Sequence, residues 1–185
     1  MAFVTKIAIA GEGGQGVQSV ANIIAEAAYA TGKQALYIPN FGVEQRGGVS
    51  IAFIQISDET IGSPKFPKGD IVVALSDRAV RRMKQYIDER TVFVYDSAIK
   101  GVEEDLPASA KKIIPIPAIQ IAQEEYHPRV FNVIIMGAVI EATKVVGMED
   151  AKQALEKKLA YKFDKDPSLR ELNYKALERG AELVR

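Results

Sequence analysis

The chain has 185 residues, enough for one domain with a substantial core, and its 24 Lys and Arg balance its 24 Asp and Glu. A net charge of zero gives none of the basic field a nucleic-acid binder needs. With no cysteine, the chain has no disulfide, no cysteine-ligated iron–sulfur cluster and no thiol nucleophile of its own, and a reducing, cytoplasmic setting is expected.

Residues 3–10 read as a first strand. No basic segment with a long apolar stretch precedes it, so no secretion signal is expected. The strand runs into Gly11-Glu12-Gly13-Gly14-Gln15-Gly16, and residues 17–30 then carry Val20, Ile23, Ile24 and Ala27 on one helical stripe. Gly32 is placed to end that helix. Residues 34–38 form a second strand and 39–48 a glycine-bearing loop. A strand over 49–57 follows. Asp58-Glu59 then reads as a turn and Thr60-Ile61 as the start of a return strand, which makes a β-hairpin inserted in an alternating pattern.

Pro64 and Pro67 break the next loop, and residues 71–75 form an apolar strand of the buried type. Ser76 or Asp77 caps a helix running to about Ile87, and strands over 91–95 and 112–116 come next. The apolar stretch 130–146 contains Asn132, Glu141 and Lys144, so it reads as a buried helix and not a membrane span. Amphipathic helices over 150–160 and 168–184 complete the chain, the last with Leu169, Leu172, Ala176, Leu177 and Leu183 near one side. The alternation predicts an α/β fold, a three-layer α/β/α sandwich with a mixed, mostly parallel sheet, in a single domain over 1–185.

A glycine-rich strand-to-helix turn is a place to hold an anion: the backbone approaches closely, and the helix start offers free N–H groups and a favourable dipole. Gly11, Gly13 and Gly16 also match the dinucleotide spacing. That reading requires a carboxylate about 20 residues on, at the end of the second strand. Pro39-Asn40 stands there instead. The nucleotide-hydrolase loop needs a Lys followed by Ser or Thr, and Val17-Gln18 follows Gly16. A tight turn serving helix–strand packing, with no ligand, is the competing interpretation.

Arg46, in the second glycine loop, offers a planar fork for phosphate or carboxylate; alternatively Glu44 and Arg46 only stiffen that loop. Asp96-Ser97 reads as a loop-capping pair or a polar contribution to the pocket, Asp70 as a turn residue at the opposite edge, and Asn132 as a group satisfying buried backbone or serving a subunit interface. His127 stands alone, no serine lies in a nucleophile elbow, and no metal site or catalytic residue is expected.

Several motifs, in this order, resemble the gamma subunit of 2-oxoacid:ferredoxin oxidoreductases: Gly11-Glu12-Gly13-Gly14-Gln15-Gly16-Val17; Pro39-Asn40-Phe41-Gly42-Val43-Glu44-Gln45-Arg46-Gly47-Gly48-Val49-Ser50; Ile56-Ser57-Asp58 with Ile61-Gly62-Ser63-Pro64; and Asp70-Ile71-Val72-Val73-Ala74-Leu75. Asn132 with Gly137 is similar too. The resemblance implies a complex that converts a 2-oxoacid (pyruvate, 2-oxoglutarate or a branched-chain acid) and CoA to acyl-CoA and CO2, passing two electrons to ferredoxin. It implies thiamine diphosphate on alpha and beta subunits, and iron–sulfur clusters on beta and delta subunits.

The expectation for this chain is a place at the CoA cleft, with Gly11, Gly13, Gly14, Gln15 and Gly16 as the phosphate site and Arg46 as a supporting charge. A free-standing CoA- or nucleotide-binding module and a purely structural assembly subunit are the alternatives. The isolated chain is expected to self-associate through exposed apolar surface. Neither nucleic acid nor membrane is an expected partner.

Overall fold

A computed structural model of the protein describes residues 3–41 and 48–185. Strand β1 (Val4–Glu12) leads through the glycine turn into helix α1 (Val17–Ala30). Strands β2 (Gln34–Asn40), β3 (Val49–Ser57) and β4 (Ile71–Ala74) follow, then helix α2 (Asp77–Met83) with a 3-10 turn at Lys84–Tyr86. Strands β5 (Val92–Asp96) and β6 (Lys112–Ile116) precede helices α3 (Ala118–Glu125), α4 (Phe131–Thr143), α5 (Met148–Lys165) and α6 (Ser168–Glu182).

The six strands form one sheet in the order β2-β3-β1-β4-β5-β6. The pairings β1–β4, β4–β5 and β5–β6 are parallel, while β3 runs antiparallel to both β1 and β2. The sheet is therefore mixed and mostly parallel, with helices on both faces, as expected.

The source of the antiparallel character differs from the expectation. Thr60-Ile61 forms no strand. The reversal is between β2 and β3 themselves, in register from Gln34↔Ser57 to Asn40↔Ile51. Pro64 and Pro67 sit just beyond Thr60-Ile61, and a proline cannot supply the N–H a ladder requires. Ala118–Glu125, unassigned in the sequence, is helical, and the helix expected over 130–146 is shorter, running as α4 over Phe131–Thr143 after a 3-10 turn at Pro128–Val130 and ending at left-handed Lys144.

Alternation along β1 divides the core. Ile7 and Ile9 join the large cluster with α1, α3, α4, α5 and α6, whereas Ala8 and Ala10 face the smaller cluster with α2, Phe66 and Phe93. Helix α4 has residues 133–140 buried without a break, the mark of a helix covered on every side. It packs among β4, α1, α3 and α6.

Where α4 meets α6 the backbones touch. A Cβ on Gly137 would fall inside van der Waals contact of the Leu177 carbonyl, and one on Gly180 inside that of Ile134. Gly32 closes α1 at φ +85°, its N–H bonding Tyr29 O at 3.0 Å and that of Lys33 bonding Ala28 O at 3.2 Å, a Schellman ending.

Candidate functional site: the glycine turn at the carboxyl edge

The parallel strands β1, β4, β5 and β6 all end on one edge of the sheet. Antiparallel β3 begins there, with Glu12↔Val49 and Gly11↔Ser50 in register, and β2 ends there at Asn40↔Ile51. The first glycine loop and the described ends of the second thus share the carboxyl edge, where ligands of open α/β sheets bind. Arg46 and Glu44 lie outside the described residues, whose limits at Phe41 and Gly48 fix both ends of that loop at this edge.

The first turn is built by Gln15. Its Oε1 accepts the Glu12 N–H at 2.6 Å and its Nε2 donates to Leu75 O at 2.9 Å, so one amide ties the turn to the end of β4. Gly11 leaves room for that amide: a Cβ there would meet Gln15 Oε1 at 2.5 Å and Val17 Cγ2 at 2.9 Å. Both polar atoms of Gln15 are therefore engaged in the turn. Gly13 and Gly14 are exposed with open space around them, Gly14 at φ +90°.

Gly16 is the N-cap of α1 at φ +76°. A Cβ there would run into the side-chain amide of Asn132, whose Cγ lies 3.2 Å from that position. Asn132 Oδ1 is buried and finds no hydrogen-bond partner, so this side chain does not satisfy buried backbone as its sequence context suggests. In the sequence Asn132 stands out as a polar residue in an apolar helix; only the tertiary fold places it against Gly16.

Helices α1, α2 and α3 each follow a strand that ends on this edge, and they differ in one respect. Helix α2 is capped by Ser76, whose Oγ accepts the Ala79 N–H at 3.2 Å, with acidic Asp77 in its first turn. Helix α3 is capped by Asp96, whose Oδ2 accepts the Ile119 N–H at 2.9 Å while Oδ1 takes that of Ala98 at 2.8 Å. Asp96 is fully buried, and that burial pushes its carboxyl above the ordinary value despite the backbone donors. Helix α1 has neither a side-chain cap nor an acid in its first turn. Its leading N–H groups lack intrahelical partners and follow the exposed Gly13-Gly14 turn in the chain.

A hydrogen-bond chain missed in the sequence braces the base of this region. Gln18 Nε2 donates to Ser50 Oγ at 2.7 Å and to Ile51 O at 3.1 Å, and its Oε1 accepts the Tyr37 hydroxyl at 2.6 Å. Burial raises the Tyr37 pKa, keeping that hydroxyl a donor. Periodicity could flag Gln18 as a polar residue near the helix start but not its partners on β2 and β3.

At the far edge Asp70 bridges strands, accepting the Lys6 N–H at 2.7 Å. His127 accepts the Arg129 N–H at 3.1 Å. Among the described residues no group of three or more His, Cys, Asp or Glu could hold a metal ion.

The fold and edge define an α/β chain with an exposed glycine turn leading into an uncapped helix and, among the described residues, no assembled acid–base or nucleophilic group. The chain belongs to the pyruvate ferredoxin/flavodoxin oxidoreductase family, whose model matches residues 6–183.

It is 29% identical over 180 residues to ketoisovalerate oxidoreductase subunit VorA of Methanothermobacter thermautotrophicus, covering 97% of this chain but 36% of that protein, so it spans about a third of this relative's length. The keto/oxoacid ferredoxin oxidoreductase gamma subunit of Geobacter sulfurreducens superimposes with a TM-score of 0.80 at 30% identity, covering 97% of this chain and 98% of that one. The 2-oxoglutarate:ferredoxin oxidoreductase of Magnetococcus marinus, solved with 2-oxoglutarate, coenzyme A and succinyl-CoA bound, matches with a TM-score of 0.87 at 26% identity, over 98% of this chain and 31% of that chain.

Proposed function

We propose that this chain is the gamma subunit of a cytoplasmic, thiamine-diphosphate-dependent 2-oxoacid:ferredoxin oxidoreductase. It acts as one gamma-type domain with alpha and beta subunits and, where present, a delta subunit. The complex converts a 2-oxoacid and CoA to an acyl-CoA and CO2 and passes two electrons to ferredoxin. Thiamine diphosphate supplies the decarboxylation chemistry on the partner subunits. With no cysteine in this chain, thiolate-ligated clusters belong to the partners as well.

This chain's part is at the CoA cleft. The carrying observation is that α1 alone, among the three helices that follow strands ending on the carboxyl edge, has no side chain capping its first turn. Its N–H groups, with those of the exposed Gly13-Gly14 turn, receive the phosphates of CoA. Gln15 holds the turn in shape from beneath, and Arg46 supplies the counter-charge.

Calorimetry with CoA on the assembled complex tests this reading. Arg46→Ala should weaken CoA by about tenfold or more, the loss of one charge-assisted contact. An unchanged affinity removes Arg46 from the cleft.

The assembly role also has its own support. Phe3, Tyr29 and Tyr161 are large apolar side chains left exposed, available to partner chains or, in the isolated chain, to self-association.

A further inference from the structure

The helical cover of the sheet is uneven, and the gap is a cavity. On the face carrying α2, Ile38 of β2 pairs with Phe53 of β3, which pairs with Ala8 of β1. Beside them lies a cavity of about 440 Å³ with Phe41, Phe53, Phe66, Tyr86, Asn40 and Lys65 in its lining. That is within the size range of small-molecule sites.

Phe53 is held edge-on by Phe66 (centroids 5.5 Å, 81°) and by Tyr86 (5.1 Å, 68°), which makes a rigid aromatic wall. Phe41 stands at the mouth, 68% exposed. No carboxylate is among the described lining residues. Lys65 is exposed and has no ion-pair partner among the described residues, and the Tyr86 hydroxyl has no hydrogen-bond partner there either. Asn40 adds an amide, able both to donate and to accept.

We propose that this cavity is a binding site for a purine nucleotide, with the base against the aromatic wall and the phosphate on Lys65. Aromatic faces accept a base, the hydroxyl and amide read its edge, and Lys65, with no acid among the described lining residues, favours an anion. An added peptide strand is disfavoured here, because Pro39 interrupts the free edge of β2 beside the cavity and offers no N–H. The site lies on the opposite face of the sheet from α1, so it does not rest on the CoA reading of the glycine turn.

Calorimetry of the full chain with adenosine 5′-monophosphate and with adenosine decides the matter. The monophosphate should bind at one site and more tightly than adenosine. Lys65→Ala should erase that difference, and Phe41→Ala should weaken both ligands by about tenfold, the loss of one stacking contact. Both side chains are exposed, so both variants should fold, with unchanged thermal midpoints as the check. The proposal is overturned by an absence of binding, by binding that neither variant alters, or by binding that inorganic pyrophosphate displaces at the glycine turn.

Discussion

Gly16→Ala tests the account of the glycine turn at its tightest point. Two costs add. Alanine at φ +76° sits in the left-handed region, about 1 kcal/mol above its preferred backbone. Its Cβ also meets the Asn132 amide, which must rotate away with its Oδ1 already unpartnered, costing about 1 kcal/mol more.

The sum, about 2 kcal/mol, corresponds to a fall of about 4–8 °C in thermal midpoint for a chain of this size. The two contributions separate in an Asn132→Ala background. There the steric part vanishes and Gly16→Ala should cost only about 1 kcal/mol. Urea and thermal unfolding of the four proteins give the coupling directly. Equal costs in both backgrounds would refute the contact between turn and α4, and a cost near zero would refute the left-handed cap itself.

Other outcomes follow from the same geometry. Gly137→Ala and Gly180→Ala should each destabilise by about 3 kcal/mol or more in urea unfolding, because the added methyl meets backbone across the α4–α6 crossing and the helices must part. A cost below about 1 kcal/mol would mean that the helices are not in backbone contact. Asp96 gives a pH signature. Burial raises its folded pKa above the ordinary 3.8, so the folded chain holds the proton more tightly than the unfolded one, and the group's contribution falls as pH rises through the folded value. Asp96→Asn is neutral throughout, so the stability difference should shift in the variant's favour as pH rises above the ordinary carboxylate value of 3.8. Curves that stay parallel would contradict the buried cap.

Much of the site is legible in the sequence because its signals are local. The strand, the glycines and the stripe of Val20, Ile23, Ile24 and Ala27 follow one another within thirty residues, and each answers to a short-range rule. The direction of the strands is enough to put both glycine loops on one edge.

The features that the sequence hides depend on distant partners. Val49–Ser57 alternates well enough to pair on either side, and local turn residues favour Thr60-Ile61, whereas the ladder forms with Gln34–Asn40 and β1. Gly137 and Gly180 are forty-odd positions apart, and nothing in their neighbours announces that each packs against the backbone of the other's helix. Asn132 is visible as an oddity in an apolar helix, but its contact with Gly16 is purely tertiary. The short helix Ala118–Glu125 is capped by Asp96 from another element, so no adjacent cap marks its start.

The central claim is that this chain works as the gamma subunit of a 2-oxoacid:ferredoxin oxidoreductase. Its most direct test is to purify the tagged chain from its native host, identify what accompanies it and assay ferredoxin reduction with 2-oxoacids. The account predicts co-purifying thiamine-dependent and cluster-bearing chains, and ferredoxin reduction that requires both CoA and a 2-oxoacid, which also names the substrate. A lone chain that binds CoA or a nucleotide without partners, with no such activity in the preparation, would contradict it.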